Sequence, residues 1–267
     1  RRSSDLSVTA PGSSNNVLVN SSGALGAISA GLAGQALRLN DSGVPVWSSL
    51  AQTYQVVQFV EEWQNTAGQY AWAAQNAGSG SIGLNASVST YNNPGVNLYT
   101  TGTTGLSRAA STPGLTIYKL NAAAQTIVYE AVVYFTALSN GTDRYNFSTG
   151  FQDGVGAGRP ANGVFLEYVD NVNSGAVSCC ACASSVCTCT SGGSVPVAAT
   201  FERYSITISG GVMTCARAGV AYGSTVSSGF PANTAAMGIV NELEKTAGTG
   251  SVSVGVDRQG AAIYVSR

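Results

Sequence analysis

The run Gln-Thr-Ile-Val-Tyr-Glu-Ala-Val-Val-Tyr-Phe at residues 125–135 constrains the chain most. Ile127, Tyr129, Ala131 and Val133 recur at every second position, with Val128, Glu130, Val132 and Tyr134 between them. β-Branched and aromatic residues at a spacing of two specify a strand with one buried face, not a helix. Polar residues 139–143 follow, then Tyr-Asn-Phe-Ser-Thr-Gly-Phe-Gln-Asp, a Gly-rich break, and Gly-Val-Phe-Leu-Glu-Tyr-Val-Asp ending at Asp170. The breaks carry Ser, Asn, Gly, Thr and Asp, which favour turns. Residues 125–170 therefore predict a three-stranded antiparallel meander in the middle of a β-sandwich.

Similar segments recur along the chain. Residues 54–65 fit a two-turn helix or a strand, and their Val, Tyr and Gln content favours the strand. Two short strands are expected around the turn at Asn92-Asn93-Pro94-Gly95, and another at 115–120. Residues 194–219 read as two strands joined at Ser209-Gly210-Gly211. Two more follow in 235–257, with a final short one at 262–266. Turn signals every 8 to 15 residues across roughly a dozen strands argue for a sandwich or barrel. No helical segment alternates with the strands, so a parallel α/β sheet is not expected.

Residues 1–53 differ. From Ser3 to Gly34 the chain is small and polar, with isolated apolar pairs such as Val17-Leu18 and Ala24-Leu25. Such a segment cannot bury enough surface alone to offset its ordering entropy. It is expected to act as an extended arm held by another chain, or as an arm packed on its own domain. Within it Leu37, Leu39, Val44 and Val46 alternate across Asn40-Asp41-Ser42-Gly43, the pattern of a hairpin over 31–47, with Trp47 capping its apolar face. The expected division is an arm over 1–53 and a β-sandwich over 54–267.

Composition removes several function classes. Only 9% of residues are charged and the net charge is −1. Twelve Lys and Arg are spread along the chain, so no nucleic-acid surface is expected. No apolar run approaches the roughly 18 residues of a membrane span. No signal peptide is read at the start, and Arg1-Arg2 without Met reads as a processed or truncated beginning. Histidine is absent, which excludes Ser-His-Asp and Cys-His nucleophilic sites and His-containing metal sites.

Three groups of residues are candidates for chemistry. Cys179, Cys180, Cys182, Cys187 and Cys189 crowd together, with Cys215 apart. Cys179, Cys182, Cys187 and Cys189 have spacing for a four-thiolate zinc site. A disulfide-stapled loop and a set of unpaired loop thiols are the other readings; spacing does not decide connectivity. Vicinal Cys179 and Cys180 are poorly placed to pair with each other, but each could reach Cys187 or Cys189. Glu242 and Glu244 lie two apart on one strand and share a face, and Glu167 and Asp170 form a second near pair. Solvated acids on an outer sheet face are the bland alternative. Trp63, Tyr70 and Trp72, with Tyr91 and Tyr99, supply aromatics for sugar stacking or simply for the core. No calcium loop of the DxDxDG kind is present, and no cofactor is expected.

Two resemblances add to this. Gly31, Ala33, Gly34, Gln35, Leu37, Gly43, Pro45 and Trp47 resemble a short module that recurs in bacteriophage tail fibres and related adhesins. The FVEEW segment, residues 93–104, residues 130–153, GVFLEYVD, TFERYSITI and EKTAGTGSVSVGVD, taken in order, resemble the concanavalin-A-like (laminin-G-like) jelly-roll domain at the ends of many phage structural proteins. Two departures stand out. The loop after GVFLEYVD is Cys-rich, and Arg258 replaces the family's aromatic after the last Val-Asp. Family glucanases carry a third acid in the strand motif of Glu242 and Glu244, where this chain has Lys245-Thr246. The resemblance implies a non-enzymatic virion component, a tail fibre, head fibre or capsid decoration, exposed on the particle surface. The implied partners are other virion proteins, sister subunits in a homo-oligomer (a trimer first), and a host-surface glycan. A lectin or glycoside hydrolase on the same fold is the competing expectation.

Overall fold

The structure is a computed structural model. It describes residues 17–21, 24–28, 35–39, 45–49, 55–62, 72–85, 95–103, 107–112, 118–170 and 175–265. The chain divides into two compact units, residues 1–54 with 266–267, and residues 55–265.

The first unit contains two hairpins. Strands β1 (Val17–Ser21) and β2 (Ala24–Ile28) pair antiparallel, Val17 opposite Ile28. The sequence suggested loop-like apolar pairs here. The short apolar runs on each side are instead enough to register a ladder. Strands β3 (Gln35–Leu39) and β4 (Pro45–Ser49) form the second hairpin, with Leu39 opposite Pro45 and Leu37 opposite Trp47. A hairpin is expected here from the alternation of Leu37, Leu39, Val44 and Val46, but the register pairs Val46 with Arg38, and Val44 lies outside the described residues.

The second unit is a two-sheet sandwich. Its strands are β5 (Gln55–Glu62), β6 (Ala73–Ala74), β7 (Ser81–Leu84), β8 (Asn97–Thr100), β9 (Arg108–Thr112), β10 (Gln125–Phe135), β11 (Arg144–Gln152), β12 (Gly163–Val169), β13 (Val177–Ala183), β14 (Val186–Cys189), β15 (Phe201–Ser209), β16 (Val212–Arg217), β17 (Val220–Val226), β18 (Gly238–Ala247) and β19 (Ser253–Val265). The first sheet runs β17-β16-β15-β10-β19-β8-β7, with β5 also paired to β19. The second runs β14-β13-β12-β11-β18-β9-β6. Every pairing in both sheets is antiparallel. No helix occurs among the described residues.

The alternation of β10 is realised as read: Ile127, Tyr129, Ala131, Val133 and Phe135 are buried, and their neighbours face outward. The expected meander is not. Strand β10 pairs with β15 and β19 in the first sheet, whereas β11 and β12 pair with each other in the second. Residues 136–143 thus carry the chain from one sheet to the other, and they place Phe135 edge-on to Phe147, with ring centroids 6.0 Å apart. Strand periodicity reports which face is buried, not which neighbour is hydrogen-bonded. One further expectation changes: the last two expected strands are one continuous β19. The strand expected at 115–120 lies partly outside the described residues; within it Tyr118 bridges Met237. A bulge where β19 passes Val132 and Val133 of β10 leaves Arg258 exposed.

The cysteines are all paired: Cys179 with Cys215, Cys180 with Cys189, and Cys182 with Cys187. Cys180 reaches Cys189 as its position allowed, but Cys179 turns the other way, into the core. The four sulfurs of the zinc alternative (Cys179, Cys182, Cys187, Cys189) are therefore split among three disulfides. The physical reason is strand alternation: Cys179 points inward, while Cys180 and Cys182 point to the outer face.

The Cys179–Cys215 bond joins β13 of one sheet to β16 of the other across a sequence separation of 36. On loop-entropy grounds it contributes about 4 kcal/mol, against about 2 kcal/mol for Cys182–Cys187 with its separation of 5. The Cys179→Ala/Cys215→Ala double variant should lose roughly twice the unfolding free energy of Cys182→Ala/Cys187→Ala. Urea unfolding followed by tryptophan fluorescence measures both, and equal losses would show that the inter-sheet bond has no special weight.

Candidate functional site

Period-two alternation in three adjacent strands of the second sheet puts their apolar residues inward and a polar set outward. On β11, Tyr145, Phe147 and Thr149 are buried between the sheets, while Asn146 and Ser148 face out. On β18, Ile239, Asn241, Leu243 and Lys245 point in, leaving Glu242 and Glu244 on the outer face. Ser148 stands opposite Glu167 of β12 on one side and Glu242 on the other. One rung along, Asn146 stands between Val169 and Glu244. These residues line a groove of about 160 Å³ together with Gly158, Arg159, Pro160 and Phe165.

One wall of the groove is the β11–β12 connection, residues 153–162. Its ends are clamped: the Asp153 N–H donates to the Asn162 carbonyl at 3.0 Å, and the Asn162 N–H and side-chain amide both donate to Asp153 Oδ2 at 2.9 Å. Its middle supplies a donor to each groove carboxylate. The Gly156 N–H reaches Glu242 Oε2 at 3.4 Å, and the Gly158 N–H reaches Glu244 Oε2 at 3.0 Å. Arg159 holds Glu167 bidentately, Nε to Oε1 at 2.9 Å and Nη2 to Oε2 at 2.7 Å. That pairing raises the Arg159 pKa further, chiefly through the hydrogen bond.

Glu242 is the least satisfied of the three. Its side chain is 6% exposed, and Arg108 Nε lies 3.4 Å from Oε1. Neither of those two atoms makes a hydrogen bond. Burial pushes the Glu242 carboxyl up to about 7; the Arg108 charge and the Gly156 N–H only partly oppose this, and neighbouring Glu244 adds to the rise. The unmet oxygen, Oε1, is buried beside Arg108, while Glu242 as a residue lines the groove.

The other candidates fall elsewhere. Asp170 does not join Glu167; it pairs with Arg144 at 2.5 Å beyond the end of β12. Lys245 is fully buried on the inward face, and its Nζ donates to the Gly102 and Gly250 carbonyls. It therefore cannot occupy a third acidic position beside Glu242 and Glu244; only Thr246 shares their face. Trp72 is 6% exposed, donates its indole N–H to Glu61 Oε2 at 3.0 Å and packs edge-on to Phe59. Its ring is part of the core and is not offered to a sugar. Tyr99 is likewise buried. Trp63, Tyr70 and Tyr91 lie outside the described residues. Sequence reading missed Asn146, Ser148, Arg108 and Arg159. The first two were available from the alternation of β11, whereas nothing local marks Arg159 as the partner of Glu167.

The architecture has counterparts among solved structures. A protein of unknown function from Shewanella oneidensis MR-1 superposes with a TM-score of 0.56 at 13% identity, over 81% of this chain and 90% of that one. The endo-1,3-beta-glucanase of Streptomyces sioyaensis gives 0.54 at 13% identity, over 78% and 96%. Lectin II from Ulex europaeus gives 0.52 at 10% identity, over 78% and 98%. The fold is a concanavalin-A-like jelly roll. At these identities the likeness concerns fold alone. No protein-family model matches the chain, and neither does any curated protein sequence.

The Glu242 environment gives a pH signature. The carboxyl ionises near its ordinary value in the unfolded chain but only around 7 when folded. Between those values the folded state binds more protons, so stability falls as pH rises through this window. The full effect is at most on the order of 3 kcal/mol. Glu242→Gln should therefore flatten the decline in melting temperature between about pH 4.5 and 7. Parallel slopes for the two proteins in thermal melts would show that Glu242 is not responsible.

Proposed function

We propose that the outer groove of the second sheet binds a carbohydrate without cleaving it. Residues 1–53 would carry this domain as an exposed, non-enzymatic subunit of a phage particle. The observation that carries the binding half is the groove itself: three carboxylates, the Asn146 amide and the Ser148 hydroxyl on one face. Sugars present closely spaced hydroxyl donors and acceptors, and such a mixed polar set can meet them. The fold shared with a lectin from Ulex europaeus supports this choice. The particle half is supported by the fibre-like residues Gln35, Leu37, Pro45 and Trp47 and by the β3–β4 hairpin they belong to. Assembly into a homo-oligomer, a trimer first, would multiply weak contacts by avidity.

One observation favours hydrolysis as a second reading. Glu242, pushed up to about 7, sits two residues from the Glu244 carboxylate on the same face, which is the separation of roles that acid–base chemistry uses. Against it, Glu244 and Glu167 are each already held by a donor of the 153–162 loop.

A glycan array tests binding. The intact protein should be retained on at least one glycan, and Glu242→Ala and Asn146→Ala should each weaken retention about tenfold or more. Retention unaffected by both changes would remove the groove from the account. Incubating bound glycan with wild type and Glu242→Gln separates the two readings: turnover by wild type that vanishes in the variant would establish an enzyme, and none by wild type would end that idea. Deleting residues 1–53 should abolish incorporation into particles while the sandwich still folds, as seen by circular dichroism.

A further inference from the structure

The hairpin formed by β13 and β14 carries four sulfurs that no role described so far requires. Cys180 stands opposite Cys189 and Cys182 opposite Cys187, all on the outer face of the second sheet. As staples the two bonds are the short-range ones. Both tie strands that already share one ladder, closing separations of 9 and 5 residues around the turn at Ser184 and Ser185. The hairpin's register is fixed by its backbone, and the one bond with long reach is Cys179–Cys215. A second observation points to a ligand. Glu167 Oε2 lies 3.4 Å from Cys180 Sγ, yet a disulfide sulfur carries no proton to donate. The carboxylate gains nothing there while the sulfur is oxidised. The Glu167 carboxylate and the Cys180 and Cys189 sulfurs all lie within 4.8 Å of one another, a grouping suited to a metal ion.

We propose that this hairpin is a redox-gated site for a soft divalent metal of the zinc class, held in the reduced protein by Cys180, Cys189 and Glu167. The gate is thiol–disulfide exchange with a small dithiol. One thiolate of the dithiol attacks the Cys180–Cys189 bond to give a mixed disulfide, and its second thiol closes a cyclic disulfide as it leaves. The dithiol is oxidised by two electrons, and two protein thiols result. Metal binding then releases the two thiol protons, since thiolates are the ligands. Reoxidation by a small disulfide reverses the exchange and expels the metal. Cys187 and Cys189 are half-buried on the edge strand β14, which gives the reductant access. Cys179 and Cys215 are buried between the sheets and are reached last. The carboxylate is supplied in place: Arg159 fixes its orientation through both oxygens.

The full chain would be partly reduced with a dithiol under argon, and the thiols mapped by alkylation and mass spectrometry. It would then be titrated with Cd²⁺, which reports thiolate ligation by its charge-transfer absorbance. Protein with Cys180 and Cys189 free should bind about one Cd²⁺ per chain, and the oxidised protein should bind none. Cys182→Ala/Cys187→Ala keeps the proposed ligands and should retain the band. Cys180→Ala/Cys189→Ala, in which the other bond still closes the hairpin, should lose at least a hundredfold in affinity. Glu167→Gln should lose about tenfold. Circular dichroism checks that each variant is folded. A band of equal strength in Cys180→Ala/Cys189→Ala, or no band in reduced wild type that remains folded, would overturn the proposal.

Discussion

A chain of hydrogen bonds buried between the two sheets fixes how they face each other. The Tyr129 hydroxyl of β10 meets the Thr149 hydroxyl of β11, and Thr149 donates to Asn241 Oδ1 of β18 at 2.5 Å. The Asn241 amide donates to the Tyr99 hydroxyl of β8 at 3.0 Å, and Tyr99 meets the Ser111 hydroxyl of β9 at 2.5 Å. The path crosses the sandwich three times, and one order of donors satisfies it throughout. Burial raises the pKa of both phenols, so they remain protonated and can act as donors. In an apolar interior, sliding one sheet past the other costs little if only methyl groups must re-mesh. Here a slide would strand several hydroxyls and an amide without partners, each costing about 1–3 kcal/mol.

That fixed alignment matters for the outer face. Strands β11 and β18 hold Thr149 and Asn241 on their inner faces, and Ser148 and Glu242 are the next residues along. Because neighbours on a strand point to opposite faces, locking the inner residues also locks the groove residues. The groove floor is therefore as rigid as the core beneath it. The 153–162 loop is different. Gly154, Gly156 and Gly158 have open space where a side chain would project, and Gly158 has a φ of +82°. The loop is pinned at its base by Asp153 and Asn162 and along its length by Arg159.

The sequence was most legible where one physical rule acts alone. Alternation identified the buried face of β10 and, through the spacing of Glu242 and Glu244, their shared face. Turn chemistry located the Ser209-Gly210-Gly211 corner, and a sandwich follows from the number and spacing of strands. What was not legible depends on pairing between distant segments. Nothing in residues 136–143 says that the chain changes sheets there, because a polar connection serves a hairpin and a crossover equally well. Nothing local marks Lys245 as buried: beside the nearby Gly250 carbonyl, it is the distant Gly102 carbonyl that helps make a buried ammonium tolerable. Arg159 is a similar case, since its partner Glu167 is defined by a loop folding back over its own strand.

The same separation of faces accounts for the cysteines. Strand β13 alternates Cys179 inward, Cys180 outward, Ala181 inward and Cys182 outward. One strand thus serves two purposes: its inward sulfur ties the sheets together at Cys215, and its outward sulfurs meet β14. The outward row ends against Phe165 and Glu167, which is where the groove begins. Glu167 consequently belongs to both neighbourhoods, with Ser148 on one side and the Cys180 sulfur on the other. Its bidentate arginine is what lets a single carboxylate stand between them, because it fixes both oxygens and offsets the charge. Any ligand that recruits Glu167 from one side must therefore act on an oxygen whose position the other side also feels.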